Sequence, residues 1–132
     1  MDRIEDQIEY WRTSANRDWK TALGLFELKR YDSCLFFCHL SLEKMLKAIV
    51  VIKTRKKAPQ IHDLAELANR SKLELTDEQL INLRLITTFN IQCRYDNVKF
   101  NFYKICTRDY TEKHLNISHK LFIWLKSQYP KK

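Results

Sequence analysis

The sequence predicts an all-α protein, a bundle of four long amphipathic helices and one short one. Three observations lead there. The 132 residues include one glycine, Gly24, and two prolines, Pro59 and Pro130, where average usage would supply roughly nine and six or seven. Antiparallel β folds need glycine-bearing tight turns, so a sandwich or small barrel does not fit. Apolar residues recur at steps of three and four through most of the chain, the period of one helical face. The length has room for one hydrophobic core, so residues 1–132 are expected to form one domain.

The first segment runs from about Ile4 to Lys29 and carries Ile4, Ile8, Trp11, Ala15, Asp18, Ala22 and Leu25 on one face. Asp18 is the polar member of that stripe. After a break at Lys29, Arg30 and Tyr31, Asp32 or Ser33 is placed to cap the second segment. That segment extends to about Thr54 with Leu35, Cys38, His39, Leu42, Leu46 and Ile49 inward. Beside this stripe His39, Glu43 and Lys47 follow one another at four-residue spacing, and Glu43 before Lys47 is the favourable order for a helical ion pair. Its end is basic, with Lys53, Arg55, Lys56 and Lys57, which suits the helix dipole.

Pro59 then breaks the chain. A short helix is expected from His62 to Ser71, carrying Leu64, Leu67 and Ala68. Thr76 and Gln79 match a capping box, and the third long helix follows to about Arg94 with Leu80, Leu83, Ile86, Phe89 and Asn90. Residues 95–106 have alternating aromatics without a regular period and read as a connecting loop. Thr107 or Asp109 can start the last helix, which carries Tyr110, His114, Ile117, Leu121 and Trp124 and ends near Gln128.

Composition narrows the chemistry. With so little glycine there is no Gly-rich loop to cradle a phosphate, so P-loop and Rossmann sites are excluded. Any anion must be held by side chains. Twenty-four Lys+Arg against sixteen Asp+Glu give a net charge of +8, which favours a polyanionic partner such as RNA, DNA, a nucleotide or an acidic surface. The opening Met-Asp-Arg-Ile-Glu is not a signal peptide, so a cytoplasmic location and reduced thiols are expected for Cys34, Cys38, Cys93 and Cys106. These lack the CxxC pairing of structural zinc sites, and no metal or other cofactor is expected. His114 and His119 are five apart, the wrong spacing for a helical metal pair.

Polar residues on apolar stripes are the informative ones: Asp18, His39 and His114. Each must find a partner or be held for a task. Arg108 and His114, with five residues between them, also have the chemistry of metal-independent RNA cleavage. The arginine would clamp phosphate, and the imidazole would serve as acid or base for attack by the 2′-hydroxyl.

Together these segments resemble the HEPN family of small helical bundles. The resemblance covers most of the chain. It runs from Tyr10, Trp11, Ala15, Asp18 and Ala22 through Tyr31 to the pattern His39-x3-Glu43-Lys44-x2-Lys47-Ala48, then Pro59, His62-Asp63-Leu64, Leu67, and Arg94-Tyr95 at the end of the third long helix. It implies an up-and-down antiparallel bundle that usually forms a homodimer. Members are often paired with a minimal nucleotidyltransferase, and some are toxins of toxin–antitoxin pairs. Many cleave RNA through an Arg-x4-6-His motif; others bind nucleotides or serve as partners. Here the pattern departs from the nucleases. Arg94 lies at the junction where the motif belongs, yet no histidine follows within six residues, and Arg108 with His114 is displaced into the last helix. The expectation is therefore a homodimeric, non-catalytic module that binds a nucleotide or RNA or partners a nucleotidyltransferase. Its groove would be lined by His39, Glu43, Lys47, Arg94 and Tyr95, with cations from Lys44 or from residues 53–57. The alternative is an RNase using Arg108 and His114.

Overall fold

The computed structural model describes residues 3–130, apart from the side chains of residues 96 and 97. Six helices account for it: α1 (Ile4–Glu27), α2 (Tyr31–Thr54), α3 (Leu64–Arg70), α4 (Asp77–Gln92), α5 (Asp96–Ile105) and α6 (Arg108–Ser127). Among the described residues there is no strand. The four long segments and the short one appear where their stripes placed them, within two or three residues at most ends.

α2 is the centre of the bundle. It packs along α1 and also touches α3, α4, α5 and α6. Its largely apolar sequence explains this: from Met45 to Val51 every side chain is buried, including that of Lys47, as a helix surrounded on several sides requires. The turn between α1 and α2 is short, so the two are antiparallel. Contacts run in reverse register, from Phe26 against Tyr31, through Ser41 Oγ donating to the Ala15 carbonyl at 2.9 Å, to Arg55 with Glu5 near the other end. Leu35, Leu42, Leu46, Ile49, Leu64, Leu67, Leu83, Ile86, Phe89 and Leu125 form the inner core.

Local signals mostly hold. Thr76 and Gln79 make the reciprocal capping box, and Thr107 accepts from the Tyr110 amide to cap α6. Three expectations are corrected. Neither Asp32 nor Ser33 caps α2: the helix begins at Tyr31, with Arg30 in the cap position and no side-chain cap. The Arg30 amide instead bonds the Leu25 carbonyl, so the tight α1–α2 turn fixes the start. Residues 95–106 are not a loop but contain α5. Among the described side chains of that stretch Phe102 and Cys106 are the buried ones, so its inward face is narrow and its exposed aromatics conceal the period. The short helix starts at Leu64, two residues later than expected, because Asp63 caps it by accepting from the Ala65 and Glu66 amides.

Candidate functional site

The four-residue spacing of His39, Glu43 and Lys47 on α2 becomes a buried polar column. They are 0%, 4% and 6% exposed. Lys47 Nζ donates to Glu43 Oε2 at 3.0 Å. Two buried charges are tolerable only when their remaining hydrogen-bonding capacity is met. A residue from outside the helix meets it: His62 Nδ1 lies 3.0 Å from Glu43 Oε1. His62 precedes the Asp63 cap, so it stands free of α3 while Asp63 holds the backbone beside it. His39 Nε2 lies 2.9 Å from the His62 carbonyl oxygen and clamps that backbone from below.

The acceptors assign the protons. A carboxylate and a carbonyl can only accept, so His62 donates through Nδ1 and His39 through Nε2. His39 Nδ1 is then a buried lone pair, without a partner among the described residues. Burial, above all, lowers the His39 pKa from its ordinary value. The bond to the His62 backbone and the Glu43 charge oppose that shift, and the charge of Arg94 adds to it, as His62 would if protonated. His39 is therefore neutral at neutral pH and acts as a strut. Lys47 Nζ also lies 5.2 Å from the centre of the Trp11 ring on α1. Arg94, just past α4, is exposed yet near enough for its charge to act on His39. Glu43 is thus neutralised from inside by Lys47, while His62 and Arg94 face outward.

The family model of the HEPN domain matches residues 8–128. The chain belongs to the HEPN family. Its fold is similar to that of TT1696 from Thermus thermophilus, which is 18% identical; the match covers 98% of this chain and 100% of that one, at a TM-score of 0.76. It is likewise similar to ST0689, an archaeal HEPN homologue, which is 20% identical; 97% of this chain and 98% of that one are covered, at a TM-score of 0.71. At such identities the likeness shows the HEPN bundle alone. No curated protein matches the chain.

Of the residues expected at the site in this HEPN chain, His39, Glu43 and Lys47 meet directly, and Arg94 lies near them. Lys44 does not join them. One position further round α2, its Nζ donates to Ser14 Oγ at 2.7 Å and lies 2.7 Å from Asp18 Oδ2, in ion-pair rather than hydrogen-bond geometry. Lys44 and Asp18 therefore clasp α1 to α2. Tyr95 is exposed in the cap position of α5. The basic residues Lys53, Lys56 and Lys57 are exposed around the end of α2.

Arg108 and His114 have different surroundings. Arg108 is exposed on the first turn of α6, 3.8 Å from Glu112, with its guanidinium 5.5 Å from the centre of the Phe26 ring. His114 is 5% exposed, with the Tyr110 ring at 4.3 Å and the Phe89 ring at 5.8 Å. Burial, followed by the Lys113 charge, lowers its pKa. Its Nδ1 has no hydrogen-bond partner among the described residues.

Sequence reasoning about the site missed His62 and the Trp11–Lys47 contact. His62 lies outside any helical stripe, so periodicity cannot flag it. The available signal was the His-Asp-Leu run, whose aspartate is a helix cap. The four thiols are free. Burial is the main cause that pushes Cys93 and Cys106 up to about 12. Cys38 is also raised, first by its contact with Cys34 and then by burial. None of these three is poised as a nucleophile. Among the described residues no group of three or more His, Cys, Asp or Glu could hold a metal ion, and no helix is long and apolar enough to cross a membrane. A cleft of about 640 Å³ lies elsewhere, between α1 and the tail after α6. There Arg55 pairs with Glu5, and Arg12 stacks on Tyr129.

Proposed function

We propose that this HEPN chain is a non-catalytic binding module that acts as a homodimer and holds a nucleotide or RNA at the face presented by His62 and Arg94. The observation that carries the reading is the buried Glu43–Lys47 pair holding a surface imidazole. A buried ion pair contributes little net stability compared with apolar residues of the same volume. Here it orients an outward-facing group, and the exposed cation of Arg94 lies near enough to the same column for its charge to act on His39. The net charge of +8 draws polyanions to such a face. The enclosure of His114 and the contacts of Arg108 with Glu112 and Phe26 support a non-catalytic module over a nuclease. Phe100 and Tyr103 on α5 are 59% and 64% exposed, and they favour a protein partner, a minimal nucleotidyltransferase, on that surface.

The test is titration of the full chain with fluorescent single-stranded RNA and with ATP, alongside sedimentation. Saturable, salt-sensitive binding by a dimer is expected, weakened severalfold in Arg94→Ala, with no RNA cleavage in chelator. A monomer that binds neither probe overturns the reading. Cleavage in chelator that is lost in His114→Ala overturns its non-catalytic part.

A further inference from the structure

We infer that His62 makes this site selective for ribose, by offering Nε2 as a hydrogen-bond acceptor to a 2′-hydroxyl. The inference rests on the nucleotide or RNA reading above. It starts from the hydrogen bond at Nδ1. Glu43 accepts there at 3.0 Å, and the carboxylate is itself held by Lys47 at 3.0 Å. In neutral imidazole only one ring nitrogen carries hydrogen. With that hydrogen committed to Glu43, Nε2 presents a lone pair. No hydrogen bond among the described residues reaches Nε2, and the His62 side chain is 53% exposed. The ring is also rigidly mounted, because His39 holds the His62 carbonyl at 2.9 Å and Asp63 caps the helix that follows.

An outward-facing acceptor restricts what can dock. A phosphodiester or an ionised glutamate side chain has no hydrogen to give it. The complement must carry a donor, and the net charge of +8 favours a ligand that also carries an anion. A sugar hydroxyl close to a phosphate has both features, and in nucleic acid the 2′-hydroxyl is the donor that separates RNA from DNA. The side-chain hydrogen bond that the His62 ring makes among the described residues is the one to Glu43, so the direction of its hydrogen bonding is set by that carboxylate.

The experiment compares three fluorescent oligonucleotides of one sequence at pH 8: RNA, 2′-O-methyl RNA and DNA. The methylated strand keeps the 2′ oxygen but loses its hydrogen. Wild type should bind RNA about fivefold more tightly than either of the others, the value of one hydrogen bond. In His62→Ala the three affinities should converge on the wild-type DNA value, and His62→Gln, whose amide oxygen can accept, should restore part of the preference. RNA binding without discrimination in wild type, or the same discrimination in His62→Ala, overturns the inference and leaves the binding reading standing. Binding of none of the three overturns both. A separate readout needs no ligand: 15N spectra of the imidazoles should show His62 as the Nδ1–H tautomer, and the Nε2–H tautomer would refute the inference.

Discussion

Lys47→Met tests whether the Glu43–Lys47 ion pair behaves as a buried one. Methionine keeps nearly the length of the lysine stem and its packing against Trp11, so the change removes mainly the charge. The side chains of Lys47 and Glu43 are 7% and 6% exposed, so Glu43 would be left buried with His62 as its side-chain hydrogen-bond partner among the described residues and His39 Nε2 3.8 Å away. Removing one member of a buried pair costs about 3–5 kcal/mol. His62 still satisfies one carboxylate oxygen, which places the expected loss at the lower end, about 3 kcal/mol. For a chain of this size each kcal/mol is worth about 3–4 °C, so Tm should fall by about 10 °C. Urea unfolding should show a lower midpoint with an unchanged slope. Glu43→Leu combined with Lys47→Met should cost less than the two single changes added, with a coupling of about 2 kcal/mol. A loss below about 0.5 kcal/mol for Lys47→Met, or additive single changes, would mean that the pair is solvated like any surface bridge.

Three further outcomes are expected. Gly24→Ala should stabilise the protein by about 0.5–1 kcal/mol, because the added methyl meets nothing within 4 Å and a helix-interior glycine is costly; an unchanged or lower Tm refutes this. Phe102→Ala should strip hydrogen-exchange protection from α5 while α1 and α2 keep most of theirs, because Phe102 and Cys106 are the anchors of that segment; uniform loss along the chain would show that α5 is integral to global folding. Stability should fall as pH drops from about 7 to 5. The folded-state pKa values of His39 and His114 are lowered, so below the ordinary histidine value of 6.5 the unfolded chain binds more protons and gains on the folded one. A flat urea midpoint between pH 7.5 and 5 would contradict the burial of both rings.

Legibility in the sequence followed the range of the interaction. The Thr76–Gln79 box spans three residues of one helix and was readable as written. The His39–Glu43–Lys47 column was readable too, because helical spacing alone brings its members together. α5 was not, since its apolar face is so narrow that Phe102 shows its role only when Phe89 is seen against it, with ring centres 5.5 Å apart. Lys44 illustrates the opposite error. It belongs to the same motif as Glu43, yet one step round the helix turns it toward Asp18 and Ser14.

By itself the sequence determined the all-α class, the identity of the long helices and the presence of a polar column on the most apolar of them, because each follows from periodicity and from the scarcity of glycine and proline. Tertiary structure decided what that column does. His62 comes from beyond Pro59, nineteen residues after Glu43, and its hydrogen bond to that carboxylate arises from how the segment before α3 folds back over α2. It likewise separated the surroundings of Arg108 from those of His114: the packing of α6 leaves one in solvent beside Glu112 and encloses the other between Tyr110 and Phe89. Spacing along one helix fixes which side chains can be neighbours, but burial and outside partners depend on which elements cover that helix, and no local pattern encodes that.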